Sequence, residues 1–439
     1  MAVRRVLAQA AGGQLSVKVV IVGNGIAGTT AALRLRQLAP EAEITLISEE
    51  TPLFYSRTAL MYIYMRQLQF ADTVVHPADF YRKQRINLQQ DLVTSLDLQS
   101  RRLTGESATY SYDYLLLAPG SRPRQPGLAG ENLPGVQGLY SKADLDRLEE
   151  QTRTPVASAV IAGGGLIGVE LAEMLGSRRI PVTMLVREPL YFSHILPREE
   201  AEMVTNEVGK HVDLQLGTTL SEIRGDNTVR SVVTSRGEEI SCTLLGLTIG
   251  VEPRTELARA AGLAVKRGII TDEYLRTADE RVYAAGDAAE LPLPGGDSKV
   301  QQIWYTGRLQ GEVAGANLAA AIKGKTPTAY DSGIYFNSAR FFSLDYQTYG
   351  AVPVAADKSS SLLWQNVAEK KLLRISYDAT APGRPVTGFN ALAVRLLHPV
   401  CEAWIRDRTP LETVVQKFDR AVFDPEFSKR YTKELRSLL

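Results

Sequence analysis

The sequence predicts an α/β chain with two doubly wound parallel-sheet domains followed by a small α+β domain. Three observations predict it. A β-branched run, a glycine loop and an Ala/Leu/Arg-rich stretch follow one another over residues 17–38, and a second apolar run closes the unit at 43–48. The same order recurs over 158–186, with the first glycines of the two loops 140 positions apart (163 − 23), which is a domain's length and not a solenoid repeat. After Gly324–Pro327 the pattern changes to short strand-like runs and one helix.

Val17–Val22 (VKVVIV) is a continuous β-branched run, as expected of a strand buried on both faces. It ends at Gly23. Thr29–Leu38 is helical and stops before Pro40. Glu43–Ser48 is the second strand, completing a βαβ unit. Tyr112–Ala118 reads as a buried strand ended by Pro119 and Gly120, and Ser121–Pro126 as a crossover linker. The second unit runs through a strand at Ser158–Ala162, a loop at Gly163–Gly168, a helix at Val169–Arg178 and a strand at Pro181–Val186. Thr243–Ile249 is an apolar strand followed by Gly250. Arg281–Ala285 is another, ended by Gly286 and Asp287. Trp304–Ala321 is helical, with small residues suited to close packing. In the last stretch Leu362–Val367 and Lys371–Tyr377 read as strands, and a helix is expected around Ala391–Ile405. The resulting division is 17–121 with 250–326 as one discontinuous domain, 122–249 as a second and 327–439 as a third.

Lys+Arg and Asp+Glu number 50 and 49, a net charge of +1, so the balance favours neither nucleic acid nor an anionic membrane as a partner. Cys242 and Cys401 lie far apart and in no CxxC pair, which argues against a disulfide framework and for a reducing, cytoplasmic compartment. No apolar run approaches the roughly 18 residues of a membrane span. Met1–Ser16 reads as a lead-in without the apolar core of a signal peptide. His76, His194, His211 and His398 are scattered and give no metal-ligand spacing.

The glycine loops carry the chemistry. In the first, Gly23 permits the tight turn out of the strand, Gly25 lets the backbone approach a pyrophosphate, and Gly28 lets helix and strand pack closely. A pyrophosphate then meets free N–H groups at a helix N-terminus. An acid about 20 residues on binds ribose hydroxyls. Glu49 fills that place, with Glu50 as a second candidate. The second loop has Gly163, Gly165 and Gly168, but Arg187 stands where Glu49 stands in the first. An arginine there suits a 2′-phosphate and favours NADPH. The alternative is a solvated Arg187 with Glu188 taking the ribose, which would suit NADH. Two dinucleotide sites in one chain are economically explained by electron transfer between a held flavin and a visiting nicotinamide.

VVIVGNGIAG with Glu49, LLLAPGS at 115–121, GGGLIGVELA and VYAAGDAAE resemble, in order, four stretches of the pyridine nucleotide–disulfide oxidoreductase superfamily. The resemblance is to the branch holding ferredoxin and rubredoxin reductases, NADH oxidases and flavin subunits of nitrite reductases. It covers 17–326 well and the rest by position. It implies glutathione-reductase-type Rossmann-like domains, with FAD on the discontinuous domain, NADPH or NADH on the second, and an interface domain at the C-terminus that dimerises or receives the acceptor. It also implies a set of cofactor contacts. Around the first loop these are Gly23, Gly25, Ile26, Ala27 and Gly28. Further along come Glu49, Glu50, Arg57, Val93, Ala118 and Gly120, then Gly250, Gly286, Asp287 and Trp304. At the second loop they are Gly163, Gly165, Ile167, Gly168 and Arg187. Glu170 matches an acid near the nicotinamide and is the one residue named for the catalytic centre. Asp287 would bind the ribityl chain, and an N-cap role fits the same position.

Tyr55, Ser56 and Arg57 match the segment beside the flavin ring. Thr58 stands one position later, where cysteine-using members carry the redox thiol, and a hydroxyl cannot do that chemistry. Pro119 replaces a usual Thr. Tyr62 stands where ferredoxin-reductase-like members often have Lys. The resemblance implies hydride transfer from NAD(P)H to flavin and electron delivery to an unidentified protein or small acceptor. An oxidase or quinone reductase, and a slow redox-sensing binding module, are the competing readings.

Overall fold

The computed structural model describes residues 16–293, 296–357, 359–423, 426 and 430–439. The chain forms two compact units. One comprises the described residues up to Ser56, then Phe70–Arg122 and Glu252–Asp331; the other comprises Arg57–Gln69, Pro123–Val251 and Ser332–Leu439.

In the first unit, β1 (Lys18–Val22), α1 (Ile26–Leu38) and β2 (Glu43–Ser48) realise the βαβ pattern. The sheet is parallel, in the order Val282–Ala284, Tyr114–Leu117, β1, β2, Ile86–Gln90. Both faces of β1 are buried. Val19 and Ile21 lie in one apolar cluster with Leu35 and Leu46, and Val20 and Val22 lie in another with Leu115 and Val282. That is why the strand reads as a run and not as an alternation. The strand order reverses at β1, and its carboxyl end is the switch point at which such sheets bind ligands.

The second unit repeats the word with β3 (Ala159–Ala162), α2 (Leu166–Ser177) and β4 (Val182–Val186). Its parallel sheet has the order Asp213–Leu216, β4, β3, Leu244–Leu247, Val136–Gln137. The C-terminal part is a five-stranded antiparallel sheet with helix His398–Arg406 beside it. Here the expected helix around 391–405 is corrected. Val386–Leu392 is a strand paired with Lys371–Tyr377, with Leu373 opposite Ala391. The helix starts only at His398, where Pro399 suits the first turn. The expected crossover stretch Ser121–Pro126 begins as the short strand Ser121–Pro123, and the chain passes from the first unit to the second between Arg122 and Pro123.

This sheet is tied to helix Arg198–Val208 by a buried charge cluster. Arg374, 1% exposed, donates to both carboxylate oxygens of fully buried Glu200 at 2.6 and 2.9 Å and to Glu199 at 2.7 Å. Asn390 donates to Glu200 at 3.3 Å. Breaking such a pair from one side typically costs about 3–5 kcal/mol, because it strands the remaining charge.

In the first unit, the long helix α3 (Trp304–Ile322) lies on α1. A Cβ on Gly311 would come within 2.4 Å of the Ala27 carbonyl oxygen, and one on Gly315 within 2.5 Å of that of Ala31. The small residues of α3 are therefore required by backbone approach.

Candidate functional site

The two glycine loops have the same internal geometry. Gly23 has φ +102°, and a Cβ there would lie 2.0 Å from the Ala118 carbonyl oxygen. A Cβ on Gly28 would lie 1.9 Å from the Gly23 carbonyl oxygen. In the second loop Gly163 has φ +125°, with its Cβ position 2.3 Å from the Thr248 carbonyl oxygen, and that of Gly168 lies 2.4 Å from the Gly163 oxygen. The outer glycines thus serve protein packing. The middle ones do not: a Cβ on Gly25 or Gly165 meets nothing within 4 Å. Each middle glycine is the N-cap of its helix, without a side-chain cap and without an acid in the first turn. An open cradle at an uncapped N-terminus fits a diphosphate, so both loops fit the dinucleotides the sequence implies.

Ile26 and Ala27 open α1. Ala118 is buried at the end of its strand and donates its N–H to the Val22 carbonyl at 2.8 Å. Gly120, at φ +76°, accepts from the Arg254 N–H at 2.9 Å. Glu49 follows β2 and receives the Arg254 guanidinium on its carboxylate. Glu50 accepts from the Tyr55 hydroxyl at 2.5 Å. Val93 is half-buried on strand Val93–Asp97.

Asp287 sits in the turn Gly286–Ala288, which follows Val282–Ala284. It accepts from the Ser121 hydroxyl at 2.9 Å, and that hydroxyl accepts from the Gln302 amide at 2.7 Å. Gly286, at φ +76°, donates its N–H to the fully buried Gln310 side chain at 2.7 Å. Trp304 opens α3 half-exposed, edge-on to Tyr305. The first unit thus gathers the first loop, Glu49, Ala118, Gly120 and Asp287 at the carboxyl ends of its strands. Sequence reading did not single out Arg254, Gln302 or Gln310. The one signal for Gln310 was a polar residue among the small ones of α3.

Arg57 and Gly250 belong to the second unit instead. Arg57 donates to the Tyr140 carbonyl at 3.2 Å, with its guanidinium 5.1 Å from the Tyr140 ring centre. Thr58 lies in the turn Arg57–Ala59. Both cysteines are buried, and burial pushes the Cys242 thiol up to about 11.

Near the second loop, Ile167 and Gly168 lie in the first turn of α2, and Glu170 lies one turn in. Burial pushes the Glu170 carboxyl up to about 7, with the Glu173 carboxylate adding to it. Tyr191, missed by sequence reading, donates its hydroxyl to the Gly165 carbonyl at 2.9 Å. Arg187 extends into solvent with a side chain 79% exposed and donates to Glu188 at 2.8 Å. Burial raises Glu188, but the Arg187 hydrogen bond and charge outweigh it and hold the carboxyl below its ordinary range. Among the described residues no three His, Cys, Asp or Glu side chains gather as a metal site, and no helix is long and apolar enough to cross a membrane.

The pyridine nucleotide-disulphide oxidoreductase family matches residues 17–311. The ferredoxin reductase component of chlorobenzene dioxygenase from Cupriavidus sp. (strain PS12) is 34% identical over 320 residues, 72% of this chain and 76% of that protein. The NAD(P)H coenzyme A polysulfide/persulfide reductase of Pyrococcus horikoshii is 32% identical over 322 residues, covering 70% and 71% of the two chains. Among solved structures, the water-forming NADH oxidase from Lactobacillus brevis shares the fold with a TM-score of 0.79 at 20% identity, over 96% of this chain and 97% of that one. The chain belongs to the pyridine nucleotide-disulphide oxidoreductase family and is an FAD-dependent NAD(P)H oxidoreductase.

Proposed function

We propose that this enzyme passes electrons from NAD(P)H through FAD to a ferredoxin-type redox protein, without a redox-active cysteine. The observation that carries this is the pair of matched loops, each with an open middle glycine at an uncapped helix N-terminus. The relatives named as ferredoxin reductases support the acceptor class. Thr58 at the thiol position, and the burial of Cys242 and Cys401, support the absence of cysteine chemistry.

FAD supplies a hydride acceptor that can release electrons singly, and NAD(P)H supplies the hydride. The residues bind and orient. In this reading 17–121 with 250–326 hold FAD, 122–249 hold the nicotinamide nucleotide, and 327–439 form an interface domain through which the chain dimerises. Gly25 and Gly165 admit the diphosphates. Glu49 accepts from ribose hydroxyls, and Asp287, oriented by Ser121, accepts from the ribityl chain. Glu170 positions the nicotinamide. Arg187 takes a 2′-phosphate once released from Glu188, so NADPH is favoured, while Glu188 leaves NADH a ribose acceptor. The two cysteines, unpaired in sequence, support a cytoplasmic location.

The test is an anaerobic absorbance titration of the purified protein with NADPH and, separately, NADH. Rapid bleaching of a yellow protein at one equivalent is expected, followed by reoxidation that is fast with ferredoxin and slow with oxygen. Fast oxygen turnover would instead favour an oxidase. A colourless protein, or a flavin unmoved by either nucleotide, defeats the reading. Arg187→Ala is expected to weaken NADPH selectively, by roughly 10-fold, as loss of one charge-assisted phosphate contact; an equal loss for NADH removes the 2′-phosphate role.

A further inference from the structure

The chain leaves the first unit at Ser56 and re-enters it at Phe70. In the first unit the ends of this excursion are closed on each other. Tyr55 bridges Val74, and the Ser56 N–H donates to the Thr73 carbonyl at 2.9 Å.

In the second unit its middle is clamped. Helix Leu60–Tyr64 ends in Tyr64, 1% exposed, whose ring carries the Arg178 guanidinium 3.6 Å from its centre. Arg178 donates to the Thr152 hydroxyl oxygen at 2.6 Å and to the Glu149 carboxylate at 2.6 Å. The Tyr64 hydroxyl donates to the same Thr152 oxygen at 2.9 Å, and Thr152 donates onward to the Leu148 carbonyl at 2.6 Å. Every polar group at the centre of this knot therefore has a partner. Its position in the fold is particular: Arg178 is the C-cap residue of α2, the helix whose N-terminus is the second glycine loop.

We infer that Arg178 is a positioning residue that couples the 57–69 excursion to nucleotide occupancy of the second glycine loop. The inference rests on the proposed use of that loop for NAD(P)H. A helix of 12 residues is a rod of about 18 Å whose hydrogen-bond ladder makes it move as one piece. A nucleotide that settles the N-terminus of α2 settles its C-cap too. There the guanidinium holds Tyr64 by a stacked face and by shared hydrogen bonds, a combination that lysine cannot reproduce. Arg57 and Thr58 ride on the same excursion, so their placement follows the nucleotide.

The test is hydrogen–deuterium exchange on the FAD-loaded full chain, with and without the oxidised form of whichever nucleotide bleaches the flavin faster. In the wild type, residues 57–69 are expected to exchange roughly 5-fold more slowly with nucleotide bound, alongside 163–168, since nucleotide suppresses their local opening. Arg178→Ala is expected to lose the response at 57–69 while keeping it at 163–168, and Arg178→Lys to restore only part of it. Thr152→Val, which leaves the Arg178–Tyr64 stack intact, is expected to give an intermediate response and keeps the test usable if Arg178→Ala does not fold. The inference is overturned if 163–168 are protected while 57–69 do not respond in the wild type, or if 57–69 respond in the Arg178→Ala and Thr152→Val variants as fully as in the wild type. Absence of protection at 163–168 themselves defeats the functional reading as well.

Discussion

The two glycine loops share a backbone and differ in what lies against it. Position for position, Gly23, Gly25 and Gly28 do what Gly163, Gly165 and Gly168 do. In both loops the outer glycines avoid carbonyl oxygens about 2 Å from where a Cβ would stand, and the middle one faces open space. Seven residues after the first glycine the copies part. Thr30 of α1 lies under α3, where a Cβ on Gly311 would come within 2.9 Å of the Thr30 Cβ. Glu170, at the matching place in α2, has its carboxyl pushed up by burial. They part again at the strand ends, where Glu49 meets Arg254 and Arg187 meets Glu188. Close backbone packing at the outer glycines imposes one geometry on both loops, whereas the side chains around them differ.

The largest effect separates outer from middle glycines. Gly23→Ala and Gly163→Ala each force a Cβ into a backbone carbonyl at a positive φ, and a destabilisation above roughly 3 kcal/mol, or failure to fold, is expected. Gly25→Ala and Gly165→Ala meet nothing and have ordinary φ values of −66° and −91°. They are expected to cost about 1 kcal/mol or less in stability while selectively losing FAD and NAD(P)H, respectively. Thermal melts beside flavin content and nucleotide titration read this out. A Gly25→Ala protein that purifies with full FAD would break the equivalence of the loops.

A middle-sized effect belongs to Glu170, which has no counterpart in the first loop. Its carboxyl titrates near 7 in the folded chain against an ordinary 4.5. As pH rises from 4.5 the unfolded chain ionises first, so folding stability falls until the folded carboxyl also ionises near 7, and then levels. The full penalty, reached above pH 7, is roughly 1–3 kcal/mol. Glu170→Gln is therefore expected to match the wild type near pH 4.5 and to exceed it by that amount at pH 8, in urea melts across the range. Equal stabilities at pH 8 would show that Glu170 is no more strained than a surface acid.

How much of this was legible follows from where the constraints lie. β1 and β2 were plain because both faces are buried, leaving no polar alternation to confuse the reading. The glycines were plain because backbone sterics act within a few residues. The strand Val386–Leu392 was not, because Ala391–Leu397 favours helix by composition and only pairing with Lys371–Tyr377 decides otherwise. The partners of Asp287 were hidden for a similar reason: Ser121 lies 166 residues away in sequence, and Gln302 reaches it across 181. The contact of Arg57 with Tyr140 and the clamp of Arg178 on Tyr64 were hidden likewise, spanning 83 and 114 residues.

The smallest effect tests the strand ends. Arg254 and Glu49 have side chains 36% and 39% exposed, and a pair at that exposure contributes about 0–1 kcal/mol to folding. Arg254→Ala should leave the melting temperature within about 2 °C of the wild type. Its effect on FAD should be larger than on stability, because the guanidinium holds the Glu49 carboxylate in one orientation beside the first loop and a carboxylate already oriented loses less on binding a ribose diol. A several-fold weaker FAD affinity, measured by flavin release during dialysis, is expected. An unchanged affinity would reduce the pair to a surface contact. The strand-end chemistry that distinguishes the loops would then rest on Glu49 alone in the first and on Arg187 and Glu188 in the second.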